Sequence, residues 1–181
     1  MKKSIFTSFT GILLTSIITS ISYSQGPVAY SQGKTSLPEF MLSVEEKSPE
    51  KNAAVPRLNE ISNKAARDFS RNFKNASDPK WFKAKEGFVV YFRKDGVDSR
   101  AFYTKKGQYE GVILSYYEDK LAPKIRHLVK SVYYDFNICH VYEIQNEDMT
   151  AYVVKLLGKT TCKTVSIVNG EMNVIEELQK Q

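Results

Sequence analysis

Cysteine and histidine are nearly absent, with two of each among 181 residues. A structural zinc site asks for four ligands at compact spacing, and Cys139, His140 and Cys162 make an incomplete set with no fourth member. The sequence therefore assigns no metal and no cofactor. A thiol nucleophile fares little better. Neighbouring residues in a strand face opposite ways, so Cys139 cannot address His140, and Cys162 reaches His140 only if their strands fold around a cleft. Carboxylates occur at Asp95, Asp98, Glu110, Glu118 and Asp119, at turns or strand ends rather than in the paired setting of a general acid and base. Basic residues are not massed with aromatics as in a nucleic-acid groove, so nucleic acid is not a partner. A long uninterrupted apolar run is missing too. Ile5 to Ile21 is interspersed with Ser and Thr, and the next charge after it is Lys34, so no stop-transfer run follows and no stable membrane anchor is expected.

What that segment does show is a leader. Lys2 and Lys3 precede an apolar centre, and Ser22 and Ser24 supply small residues where a signal peptidase reads, placing the cut between Ser24 and Gln25. Residues 1–24 are thus a signal peptide, and no cysteine follows to carry a lipid. Their removal takes Lys2 and Lys3 and lowers the formal charge from +6 to +4, a mildly basic balance suited to acidic partners. Export is to the periplasm or out of the cell. In that compartment one disulfide is permitted between Cys139 and Cys162. A simple meander, however, puts a third strand between theirs, which favours two separate thiols.

Residues 25–55 hold Gly, Pro, Ser, Lys and Glu around one short apolar stretch, Phe40 to Val44. They read as a flexible N-terminal arm, with the stretch from Leu37 to Leu42 able to dock on a sheet edge or a partner. After Pro56, Leu58, Ile61, Ala65, Phe69 and Phe73 recur at steps of three and four and predict a helix that stops near 74–76, ahead of Asp78-Pro79. Trp81 then plugs the gap between helix and sheet. From Gly87 to Tyr117 three alternating runs are divided by Asp95-Gly96 and Lys106-Gly107, the signature of a meander. Leu121, Ile125, Leu128, Val129, Val132 and Tyr133 predict a second helix beginning beside Pro123. Strands are expected over 138–145, 150–157, 161–168 and 171–177, the last two joined by Asn169-Gly170.

Leu58 and Leu121 are 63 residues apart, and so are Gly107 and Gly170. Equal displacement at two landmarks suggests an internal repeat. The expected fold class is α+β, a tandem repeat of helix plus antiparallel four-stranded sheet, with residues 56–119 and 120–181 as its units. The segments NEISNKAARDF, DPKWFKAKEGFVVYFRKDG, AFYTKKGQYEGV and KTVSIVNGEMNVI resemble the PepSY-like or beta-lactamase-inhibitor-protein-like family of exported bacterial proteins, over residues 56–178. Trp81, Phe102 and Gly107 fall at family-like positions. The resemblance implies paired helix-plus-sheet units in the periplasm or at the cell surface, in a family where a few members bind and inhibit proteins.

Eleven tyrosines are the remaining signal. Rigid rings with a hydroxyl handle suit protein recognition when they emerge on an open sheet face. The candidate surface comprises Tyr91, Tyr103, Tyr109 and Tyr152, with a basic helix face of Lys64, Arg67, Arg71 and Lys74. The function expected is a non-enzymatic, protein-binding or inhibitor-like module acting on an envelope or secreted partner. A structural envelope protein and a Cys162–His140 hydrolase are the competing readings.

Overall fold

A computed structural model describes residues 61–180. The leader, the arm and Leu58 lie outside the described residues. The chain runs α1 (Asn63–Asn72), β1 (Ser77–Lys83), β2 (Gly87–Lys94), β3 (Val97–Thr104), β4 (Tyr109–Tyr116), a single 3-10 turn (Glu118–Lys120), α2 (Pro123–Val132), β5 (Asn137–Gln145), β6 (Thr150–Leu157), β7 (Thr161–Val168) and β8 (Glu171–Gln179).

Turn chemistry fixes the hairpins. Asp95 and Gly96 both have positive φ, at 52° and 76°, and Asn169 and Gly170 repeat the pattern at 52° and 85°. Two successive left-handed residues are what a two-residue loop needs to follow the twist of its strands. Pro123 opens α2 at a position where its missing N–H costs nothing. α1 ends at Asn72, slightly before the expected stop, and Pro79 lies inside β1, an edge strand. Its neighbour Asp78 takes φ of 52°, and the register shifts between Ser77 and Lys80. A proline that cannot donate to a ladder is tolerated at an edge through such a bulge.

The strands pair in chain order, each antiparallel to the next, from β1 at one edge to β8 at the other. This overturns the expectation of a tandem repeat of helix plus four-stranded sheet. β4 pairs directly with β5, Ile113 opposite Ile144 and Ser115 opposite Tyr142, so the eight strands form one continuous sheet carrying two helices. Hairpin turns announce pairings between chain neighbours; nothing local announces β4 with β5, which are joined across α2.

Both helices lie on one side. Ala65, Phe69 and Phe73 of α1 and its end pack with Phe88, Val90, Phe92, Ala101, Tyr103 and Trp81. The Phe69 ring meets Phe92 at 5.0 Å and Trp81 at 5.6 Å, both edge-on, which places Trp81 in the expected gap. Val129, Ile125 and Leu128 of α2 pack with Val141, Val154, Leu156, Val165 and Ile167. Leu114 touches both clusters and joins them. Val132, assigned to the α2 stripe by its spacing, is exposed instead, while Val129 one turn earlier carries the contact with the sheet.

Candidate functional site

Strand alternation and register lay out the side opposite the helices as cross-strand rows. One row runs Tyr91, Arg100, Ile113, Ile144, Ala151, Val168 and Glu171, from β2 to β8. The next runs Arg93, Asp98, Ser115, Tyr142, Val153, Ser166 and Asn173. Ile113, Ile144, Ala151 and Val153 form its buried centre, walled by Phe102, Tyr142, Met149 and Val168, and among the described residues neither α1 nor α2 contributes to this cluster. Cations sit over rings at its rim: the Arg100 guanidinium lies 5.9 Å from the Tyr91 ring centre, and Lys155 Nζ lies 6.0 Å from that of Tyr142. Phe82 meets Tyr91 edge-on at 5.4 Å. The face thus has an apolar middle with aromatic rings around it.

Beside the middle of the second row, Ser115 Oγ and His140 Nε2 are 2.8 Å apart, and the imidazole stands edge-on to Tyr142 at 4.7 Å and to Tyr117 at 5.4 Å. Burial, then the charge of Lys155, pushes the His140 pKa below its ordinary value. A base with a depressed folded pKa favours the fold in its neutral form. Its contribution is complete above the ordinary imidazole pKa of about 6.5 and is lost as pH falls toward the folded value. His140→Asn is therefore expected to flatten the decline of stability between pH 7 and pH 5, by less than about 1 kcal/mol because the ring is part-exposed. Urea midpoints at the two pH values check this; an unchanged slope would refute it.

The structure divides the residues singled out in the sequence. Tyr91 is on the helix-free face. Tyr103 is 1% exposed beneath α1, donating to Asp68 Oδ2 at 3.2 Å. Burial, then the Asp68 charge, drives its phenol far above the ordinary range, and it presents no surface. Tyr109 is on the helix side as well, half-buried against Phe73 and Tyr103 and pushed up to about 12 by burial, then by the charges of Asp68 and Glu147. Tyr152 packs with the α2 cluster, and burial followed by the Glu143 charge raises its pKa. Tyr116 donates to the same carboxylate. Aromatic residues occur at both parities of these strands, so composition could not say which ring faced which way. Small Ser99 and Ala101 alternate with Arg100 and Phe102, and the small pair leaves room for α1. Lys64, Arg67, Arg71 and Lys74 are exposed on or just past α1, with Arg71 held by Asp68 at 3.1 Å. They lie on the opposite side of the sheet from Tyr91, and one flat interface cannot use both.

His140 bonds to Ser115, not to Cys162. Cys139 bulges from β5 between Ile138 and His140 and donates to the Lys155 carbonyl at 3.2 Å; both thiols are free, with β6 between their strands. Ser115 and His140 stand on the paired central strands β4 and β5. Among the described residues no three or more His, Cys, Asp or Glu gather as metal ligands, and no helix is long and apolar enough to cross a membrane. A groove of about 650 Å³ beside α2 is lined by Glu118, Leu121, Arg126, His127 and Lys130 among others. Three of its lining charges are engaged locally: Arg126 bonds Glu118 at 2.7 Å, and Lys130 donates to the Phe136 carbonyl at 2.5 Å.

Solved structures resemble this fold. A BLIP-like protein from Bacteroides fragilis NCTC 9343 superposes with a TM-score of 0.54 at 16% identity, covering 66% of this chain and 86% of that one. This chain shares its fold with that protein. A DUF2874 family protein from Bacteroides ovatus ATCC 8483 gives 0.54 at 13% identity over 66% and 87% of the two chains, and another from Bacteroides uniformis ATCC 8492 gives 0.53 at 12% over 66% and 89%. At these identities the likeness to these structures is one of fold. No protein-family model and no curated protein matches the chain.

Proposed function

We propose that the protein is an exported, non-enzymatic module that binds a protein partner in the bacterial envelope through its helix-free sheet face. The observation that carries this reading is the pair of cross-strand rows: half-buried Tyr91, Phe102 and Tyr142 rim an apolar centre on the one broad face the helices leave uncovered. Rings fixed by a sheet lose little freedom on binding, which is why such residues dominate interface energetics. The fold shared with a BLIP-like protein and the leader-like first 24 residues support the same reading. Catalysis asks in addition for oxyanion donors, an orienting acid and a cleft around the Ser115–His140 pair.

In cells expressing the chain, crosslinking followed by mass spectrometry identifies the partner, and purified partner then gives affinities. Tyr142→Ala and Phe102→Ala are each expected to weaken binding about tenfold or more, as truncation of an interface anchor does. Charge reversal at Lys64, Arg67 and Arg71 tests the basic helix face separately. Full affinity in both ring variants, with the fold intact, would defeat the assignment of the face; loss only on charge reversal would move the interface to α1.

A further inference from the structure

The two edges of the sheet are built differently. On β1 the φ of 52° at Asp78, Pro79 and the register shift between Ser77 and Lys80 break the outer line, and Lys80 and Lys83 add charge. These are devices by which an edge refuses a further strand. β8 is bulged once, where Ile175 falls between the Thr164–Glu176 and Val165–Val174 pairs, and from Glu176 to Gln179 its ladder with β7 is regular. That stretch holds no proline and no lysine. Val174, Ile175 and Leu178 of this strand are exposed, and among the described residues no strand lies along its outer side. We infer that the outer edge of β8, over residues 175–179, is a strand-addition site for an extended, lysine- or arginine-bearing segment of another protein.

Hydrogen-bond phase shows what the edge offers. The Lys180 N–H donates to the Thr160 carbonyl at 2.8 Å, and the Thr161 carbonyl is turned the other way, accepting from the Gly158 N–H at 2.9 Å. In an antiparallel ladder bonded and non-bonded pairs alternate, so Glu177 and Gln179, opposite Lys163 and Thr161, turn their N–H and C=O groups outward. Outward ladder groups of this kind are what an added strand bonds to. Side chains set the chemistry of that strand. Glu177 and Leu178 are neighbours and point to opposite faces, an acid on one and an exposed leucine on the other. Leu178 continues the row of Leu157 and Cys162, and Leu157 is exposed as well. A segment that alternates cations with apolar residues matches both faces at once. The charges within β8 are all acidic, Glu171, Glu176 and Glu177. Lys163 lies 2.5 Å from Glu177 and offsets one of them, while the Lys180 ammonium is turned to the Gly158 carbonyl at 2.6 Å. A second copy docked edge to edge would crowd the carboxylates of both strands along one seam, so the complement is a cationic strand and not β8 itself. The inference is independent of the helix-free face, whose buried centre lies on β4 to β6.

The test uses the full mature chain, labelled for amide NMR, and a short capped peptide that alternates lysine with valine. The peptide is expected to shift the amide resonances of Glu177, Leu178 and Gln179. Present at about ten times its Kd, it should slow hydrogen exchange of the Glu177 and Gln179 amides about tenfold. The same peptide with glutamate in place of lysine should do neither. Gln179→Pro removes an outward donor that the ladder with β7 does not use and should abolish both effects. Glu177→Lys keeps the backbone intact and should weaken the lysine peptide about threefold or more. Shifts centred on Phe102 and Tyr142, equal binding of the two peptides, binding retained in Gln179→Pro, or no shift at about 1 mM peptide would overturn the inference. So would slow exchange of Glu177 and Gln179 in the free chain, the mark of an edge already covered, and so would shifts that grow with protein concentration alone, the mark of β8 pairing with itself. Tyr142→Ala separates this site from the helix-free face: the peptide titration should be unchanged in that variant, whether or not capture of the envelope partner is lost.

Discussion

Phe69→Ala is expected to destabilise the fold by about 3–5 kcal/mol, the cost of removing a buried aromatic ring and leaving its cavity. Phe69 is 6% exposed and is the central ring of the α1 cluster, touching Phe73, Trp81 and Phe92 at 5.0–5.6 Å between centroids. The sheet beneath is rigid and cannot collapse into the space, and α1 has few other anchors, since of its ten residues only Ala65 and Phe69 are buried. For a body of this size each kcal/mol lowers Tm by roughly 3–5 °C, so a fall on the order of 10 °C or more should appear by calorimetry. Val132→Ala is the matched control: that side chain is 56% exposed, and its removal should change stability by less than about 0.5 kcal/mol. A Phe69→Ala loss no larger than the control's would mean that α1 does not hold the sheet.

The second large effect is expected at Gly107, by comparison with Gly170. Both have positive φ, 74° and 85°, and an alanine at either incurs about 1–2 kcal/mol of left-handed strain. Their surroundings differ. A Cβ at Gly107 would stand 2.4 Å from Ser62 Oγ and 2.8 Å from the Ala65 backbone nitrogen, whereas one at Gly170 meets nothing within 4 Å. The hydroxyl can rotate away, but the Ala65 nitrogen is part of α1 and moves only with the helix. Gly107→Ala should therefore cost about 3 kcal/mol or more and Gly170→Ala about 1 kcal/mol. Urea denaturation of the two variants ranks them; equal losses would show that the β3–β4 turn does not seat the start of α1.

Much of this architecture was legible residue by residue. Asp95-Gly96 and Asn169-Gly170 set their hairpins because glycine and a short amide or acid accept positive φ, and the strands of the second meander fall within two residues of where alternation puts them. Trp81 and the α2 proline behaved as their chemistry demands. The join of β4 to β5 was not legible, because register between strands separated by a helix is decided by packing at distance, here by Ile113 against Ile144. Nor were the faces of the tyrosines. Tyr103 and Tyr91 are equally amphipathic, and only the helix above one of them makes it core. The Ser115–His140 contact leaves no sequence trace either, since its members are 25 positions apart and meet only through that same join.

Strict chain order among the strands also shapes how the molecule assembles. Within β1 to β4 and within β5 to β8, every pairing closes a short turn, so each set can zip with little loss of chain entropy. The β4–β5 contact instead closes a loop of roughly twenty residues, and at about 0.6 kcal/mol per doubling of loop length it costs about 2 kcal/mol more than a two-residue hairpin. The ladder that makes the sheet continuous is thus the least local contact among its strands, the step at which two zipped ribbons either meet in register or wait with bare edges.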